Sequence, residues 1–150
     1  MSAPVRIRYV GKHQRSLDSK NRLTIPSKWR FEGDTDDVYL ALPDPGGCIV
    51  VMPPAQVDKL YEDVESRKLS DEDAQGLLDK LMSQAASFGC DKQGRIHIPE
   101  ELLRHAGIER EAMIVGRLVN FRIWSPDRWQ AIDPQSNRDD IAHLMKLVNL

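Results

Sequence analysis

Short alternations of apolar and polar residues run through this chain, punctuated by prolines and turn-forming clusters. Arg22-Leu23-Thr24-Ile25 and Arg95-Ile96-His97-Ile98 each place their aliphatic side chains on one side of an extended segment, the two-residue period of a half-buried strand. Two strand pairs follow the same logic: Val38 to Leu42 with Cys48 to Met52, and Ala112 to Leu118 with Asn120 to Trp124. Helical spacing takes over elsewhere. Pro53 to about Lys68 carries Val57, Leu60, Tyr61 and Val64 on one face. A second helix starts at Ser70, with Asp73 as its capping-box acid and Leu77, Leu78, Leu81 and Met82 as its stripe. Glu100 to Ala106 reads as a short helix with acids at its start and Gly107 as its C-cap. Asp133 to Asp140 reads as a polar linker, and Ile141 to Val148 as a short terminal helix.

The pattern repeats. Leu17-Asp18-Ser19-Lys20-Asn21-Arg22-Leu23-Thr24-Ile25-Pro26 returns as Cys90-Asp91-Lys92-Gln93-Gly94-Arg95-Ile96-His97-Ile98-Pro99. Downstream, Ile49-Val50-Val51-Met52-Pro53-Pro54 aligns with Phe121-Arg122-Ile123-Trp124-Ser125-Pro126 at almost the same offset. Two ordered matches indicate a duplicated unit. In each copy the aspartate accepts hydrogen bonds from the backbone just after it, while Asn21 or Gly94 tolerates a positive φ. The strand then ends at Pro26 or Pro99, which opens a helix where a missing N–H costs little. The fold class expected is mainly β with flanking helices.

Composition bounds the function. The 150 residues are 41% hydrophobic and 29% charged, an ordinary globular balance. No apolar run approaches the roughly 20 residues that span a bilayer. The first residues lack the apolar core of a signal peptide, so a cytoplasmic location and no membrane partner are expected. Cys48 and Cys90 form neither a disulfide framework nor a zinc motif, and they read as buried, inert thiols.

Net charge is −2, but its distribution is uneven. Residues 1–30 hold eight lysines and arginines against Asp18 alone, a net +7; residues 31–89 sum to −9 and residues 90–150 to zero. Local field, not total charge, decides where a polyanion docks. Arg15, Lys20 and Arg22 surround the first turn, with Arg6, Arg8 and Lys12 upstream in what reads as the first strand. Lys92 and Arg95 occupy related places in the second copy, which is far less basic, so the main contact surface is expected in the first.

Asp18 and Asp91 admit three readings. As structural residues they hold the turns, each paired with the following arginine, whose guanidinium keeps donors for a phosphate or a guanine edge. As a proton-sharing catalytic dyad they fit poorly, because Lys20 and Lys92 hold nearby carboxylates ionised. In a nucleic-acid surface the long cations on the turns track phosphates and an arginine on the β-ribbon enters the major groove. His13, His97, His105 and His143 lack metal-ligand spacing. Ser19, Ser27 and Ser125 have turn or cap explanations, and Gly46-Gly47 is a hairpin turn, not a phosphate loop. Trp29, Trp124 and Trp129 read as core or subunit-interface residues. Neither catalytic residues, nor cofactor, nor metal, nor small-molecule substrate is expected.

Tyr9-x-Gly11 followed by the first motif through Arg30, then the second motif through Ile108, with Val115-Gly116 and Phe121-Arg122-Ile123-Trp124, resembles the MraZ family over residues 8–132. The resemblance implies an AbrB-like swapped-hairpin fold, a pseudo-twofold β-barrel made from two copies in one chain. It divides the chain into a first repeat with its following helix (1–68), a connecting helix (69–88), a second repeat (89–132) and a tail with a short helix (133–150). It also implies a ring-shaped homo-oligomer that binds double-stranded DNA at direct repeats in the promoter of the division and cell wall gene cluster, its own gene included, on the nucleoid. DNA contact in the family is associated with the Asp-x-x-x-Arg motif, here Asp18 and Arg22 with Lys20 between them. Asn21 stands where the family usually has glycine and is expected to keep the turn; Val10 stands where a basic residue commonly precedes Gly11, which relocates one phosphate contact. The expected DNA contacts are Arg22, Lys20, Arg15, Lys12 and Arg8; Asp18, Asn21, Pro26, Asp91, Gly94, Arg95 and Pro99 hold the motifs. The chief alternative is an antitoxin-like AbrB-fold protein that binds a toxin and regulates its own promoter; a hydrolase built on the paired aspartates comes third.

Overall fold

The computed structural model describes residues 6–66, 72–132 and 138–150. It is a mixed β/α structure built on one antiparallel sheet. In chain order the elements are β1 (Lys12–Ser16), β2 (Arg22–Thr24), a single 3-10 turn (Ser27–Trp29), β3 (Tyr39–Asp44), β4 (Cys48–Met52), α1 (Pro54–Ser66), α2 (Glu72–Ser83) and β5 (Ala86–Phe88). The second half continues with β6 (Arg95–His97), α3 (Glu100–Ala106), β7 (Glu111–Gly116), β8 (Phe121–Trp124), α4 (Pro126–Ile132) and α5 (Arg138–Leu147). No helix among the described residues is long and apolar enough to cross a membrane.

Six strands form a sheet in the order β1-β7-β8-β4-β3-β5, and among the described residues β2 pairs only with β6. The order is a palindrome of the two halves. Each half supplies a hairpin, β3–β4 or β7–β8, and lends its first strand to the other half's hairpin: β1 to β7, β5 to β3. The duplicated strands meet at the centre, Leu23 opposite Ile96, flanked by Arg22 opposite His97 and Thr24 opposite Arg95. Ile25 N–H donates to the Gly94 carbonyl and Ile98 N–H to the Asn21 carbonyl, each at 2.9 Å, extending the ladder symmetrically. Among the described residues the six strands form an open sheet and not a closed barrel, because β1 and β5 lie at opposite edges.

One apolar cluster fills the space between ribbon and sheet. Leu23, Ile25, Ile96 and Ile98 from the ribbon join Ile49, Val51, Ile114 and Ile123 from the sheet, all essentially inaccessible. Trp29 is the hub of its aromatic part, edge-on to Tyr9 at 5.6 Å and tilted against Phe121 at 5.1 Å. Cys48 and Cys90 are free and buried, and burial pushes the Cys90 thiol up to about 12.

Four local expectations change. The first strand begins at Lys12, not at Arg6, because Gly11 adopts φ +86° and Tyr9 makes only an isolated bridge to Leu118. Pro26 opens one 3-10 turn where Pro99 opens a helix; the chain turns extended at Arg30, and the turn-formers that follow cannot continue a helix. Residues 86–88, assigned from sequence to a helical stretch, form β5, a strand too short to show alternation and fixed by pairing with β3. Finally, α5 starts at Arg138, inside the stretch read as linker. The proposed cap at Ser70 lies outside the described residues. Gly107 caps α3 in the left-handed conformation, as expected.

Leu23 sits fully buried at the centre of the β2–β6 ribbon, so Leu23→Ala should cost ~2–5 kcal/mol of unfolding free energy. Urea melts with an unchanged slope would check this; a loss no larger than that of a surface substitution would refute the packing described.

Candidate functional site

Both motif turns are built alike. One oxygen of Asp18 accepts from the backbone N–H groups of Lys20 and Arg22, both at 2.9 Å, and the other from Arg22 Nε at 2.7 Å. Asp91 does the same with Gln93, Arg95 and Arg95 Nε, at 2.9, 2.9 and 2.7 Å. The third residue after each aspartate must swing to positive φ, and Asn21 does so at 58°, Gly94 at 80°. Asparagine suffices in the first turn. In the second, a Cβ on Gly94 would meet the Arg30 side chain at 3.2 Å. Arg30 pairs with buried Asp34 and also donates to the Lys92 and Asp91 carbonyls, at 3.4 and 3.3 Å, which locks that turn onto the core. Pro26 and Pro99 end the ribbon strands, and their carbonyls accept from the turns that follow.

The ribbon's pleat decides what faces outward. With Leu23 and Ile96 buried, Arg22, Thr24, Arg95 and His97 share the open face. The guanidiniums of Arg22 and Arg95 keep 28% and 29% of their side-chain exposure, and Arg95 Nη1 approaches the Asp18 carboxylate at 3.9 Å. The two motifs therefore make a single surface. Taken from sequence they are a strong copy and a weak one, a reading that misses Thr24 and His97. Their outward phase is visible in the alternation; the pairing of the two copies is not.

The other expected contacts distribute unevenly. Lys20 is exposed on the first turn, as Lys92 is on the second. Arg15 shares a face of β1 with His13, which packs edge-on against Trp29, and its Nη1 donates to the Gln14 carbonyl at 3.0 Å. Lys12 is exposed on the opposite face of that strand. Arg8 is not brought to the turn at all. It precedes the far end of β1, with its guanidinium carbon 5.4 Å from the centre of the Phe31 ring.

Burial raises the Asp18 carboxyl, but hydrogen bonds from the Arg22 backbone, the Arg22 guanidinium and the Lys20 backbone outweigh it and hold the group at about 2. Asp91 is lowered for the same reasons. A proton-sharing dyad needs one carboxyl raised, and here both are lowered. Because the Asp18 value in the fold lies below its ordinary 3.8, it stabilises the protein above that pH and loses the contribution as pH falls toward its folded value. Asp18→Asn should accordingly lower stability at neutral pH and flatten the stability profile between about pH 4 and about pH 2. Urea midpoints across that range would show it, and profiles of equal slope would refute it.

Comparison with known proteins places this architecture. Residues 81–147, which include the second motif and α5, match the model of the family described as "MraZ protein, putative antitoxin-like". A protein of Ligilactobacillus salivarius (strain UCC118) named Transcriptional regulator MraZ is 32% identical over 139 residues, covering 91% of this chain and 96% of that one. Its namesake in Alkaliphilus metalliredigens (strain QYMF) is 31% identical over 92% and 96% of the two chains. The one from Thermomicrobium roseum (strain ATCC 27502 / DSM 5159 / P-2) is 35% identical over 82% and 85%. With such identity over nearly the full length of these relatives, the chain belongs to the MraZ family.

Proposed function

We propose that this protein is a transcriptional regulator that binds double-stranded DNA through the open face of the β2–β6 ribbon and its two flanking turns. The observation that carries the reading is the placement of Arg22 and Arg95 together on that face, with Lys20 and Lys92 exposed on the turns beside them. A two-stranded ribbon fits the major groove, where a guanidinium can address guanine, while lysines on the turns reach phosphates. Asp18 and Asp91 orient the arginines, so little side-chain entropy remains to be lost on binding. Arg15 lies on the sheet face nearer the ribbon, and Lys12 contributes to the wider field. The names of the relatives, which are transcriptional regulators, support the same reading.

The finer proposals follow the family resemblance. The exchange of first strands between the halves is the arrangement a swapped-hairpin fold requires, with repeats at 1–68 and 89–132, a connector at 69–88 and a tail at 133–150. Several copies in a ring would present the ribbon faces at fixed spacing to direct repeats, so that each need bind only weakly. The target is the promoter of the division and cell wall cluster, including the protein's own gene, and the protein acts in the cytoplasm on the nucleoid without catalysis or cofactor.

Titration of the chain's own upstream DNA at several salt concentrations tests this. Lys20→Ala should reduce the log–log salt slope by about 0.9 for each phosphate that the lysine neutralises. Arg22→Ala should cost ~1–3 kcal/mol of discrimination against unrelated sequence. Unchanged binding by Arg22→Ala, or no preference for the promoter by the parent protein, would overturn the proposal.

A further inference from the structure

The open face of the β2–β6 ribbon holds two kinds of position. Its register sets Arg22 opposite His97 and Thr24 opposite Arg95, on either side of buried Leu23 and Ile96. The strands run antiparallel and the ladder is extended alike at both ends, so a half-turn about the ribbon's centre carries β2 onto β6. That operation places Arg22 on Arg95, and the arginines keep the symmetry. It places Thr24 on His97, and these two break it.

The four side chains also differ in what already holds them. Each guanidinium is tied through Nε to its own aspartate at 2.7 Å. Thr24 and His97 are more exposed than the arginines, and among the described residues neither side chain makes a hydrogen bond or an ion pair. Two other histidines are engaged: His13 packs edge-on against Trp29, and His105 Nε2 lies 2.7 Å from the Asp44 carbonyl. Polar atoms left open on an outward face are what reading a base edge requires. Residues two apart on a strand advance ~6.8 Å, which matches two base steps of ~3.4 Å each. In a ribbon that lies along the groove, Arg22 and Thr24 address positions two steps apart, and Arg95 and His97 do the same in the opposite direction.

We propose that Thr24 and His97 are the specificity-determining pair that gives the ribbon its direction on DNA, letting an otherwise twofold face tell one end of its site from the other. An imidazole offers a ring N–H to an acceptor on a purine edge. A threonine offers a hydroxyl to a base edge and a methyl to the methyl of thymine. Ends of a site that meet these different side chains are selected as different bases, whereas Arg22 and Arg95 ask for the same base at both. The turns do not supply the distinction. Lys20 is the second residue after Asp18 and Lys92 the first after Asp91, an offset that shifts phosphate contacts, and these carry no base identity. The inference rests on the DNA-binding reading of the ribbon and adds to it the residues that set orientation.

Selection by the full-length protein from duplexes with a randomised core tests it, and thermal melts confirm that each variant folds. The parent is expected to enrich a core whose two ends differ. His97→Thr makes the face symmetric and should enrich a core that reads alike on both strands, with the base chosen by Thr24 at each end. Thr24→His should do the same with the base chosen by His97. Preference between the parental and the palindromic core should shift by ~5–150-fold, the range for one mismatched base pair. A parent that enriches no core would sink the DNA-binding reading and this inference with it. A palindromic parental core, a variant core as lopsided as the parent's, or an equal loss of binding on every core would sink the inference alone.

Discussion

Leu23 against Ile96 is the contact from which the molecule is organised. These two residues stand at corresponding places in the duplicated motifs, meet at the centre of the β2–β6 ladder, and are excluded from water. Their burial fixes the phase of both strands. A slip of one residue would turn Arg22 and Arg95 inward and their aliphatic neighbours outward, which a ribbon with one buried face does not tolerate. The same pairing brings the second turn beside the end of β2 and the first turn beside the end of β6. The surface that carries the arginines is thus a consequence of how the core closes.

Electrostatics then shapes what that surface offers. Each arginine is already tied to its own aspartate, and ion pairs that keep about a third of their exposure contribute little stability. Their value lies in direction: the guanidiniums are aimed before any partner arrives. The uncompensated positive charge comes from Lys20 and Lys92 on the turns. Arg30 adds an asymmetry. It braces the second turn through the Lys92 and Asp91 carbonyls, while no such brace is described for the first. The first turn instead keeps an asparagine at positive φ.

Local chemistry is legible in the sequence wherever neighbours along the chain decide the outcome. The carboxylate bridging Lys20 and Arg22, the positive φ at Asn21 and the left-handed cap at Gly107 all follow from residue type and short spacing. What cannot be read there depends on distant partners. Ala86–Phe88 is a strand only because β3 needs an edge partner. Arg95 joins the first motif only because β6 crosses beside β2, and no feature near Arg95 announces Asp18 at 3.9 Å. Arg8 reads as one more cation in a basic run, yet Gly11 breaks the strand and leaves its side chain over Phe31, in a cavity made from four separate segments.

The exchange of first strands between the halves has a consequence for how the protein is made. β1 pairs with β7, nearly the length of a small domain further along the chain, and β3 has no outer neighbour until β5 appears. A ribosome that has released only the opening half holds a hairpin with both edges bare, which is the form of a β-structure most open to sticking and cleavage. Closure over so long a separation is entropically costly and slow. Translation cut short therefore yields material for proteases, not half of a working molecule.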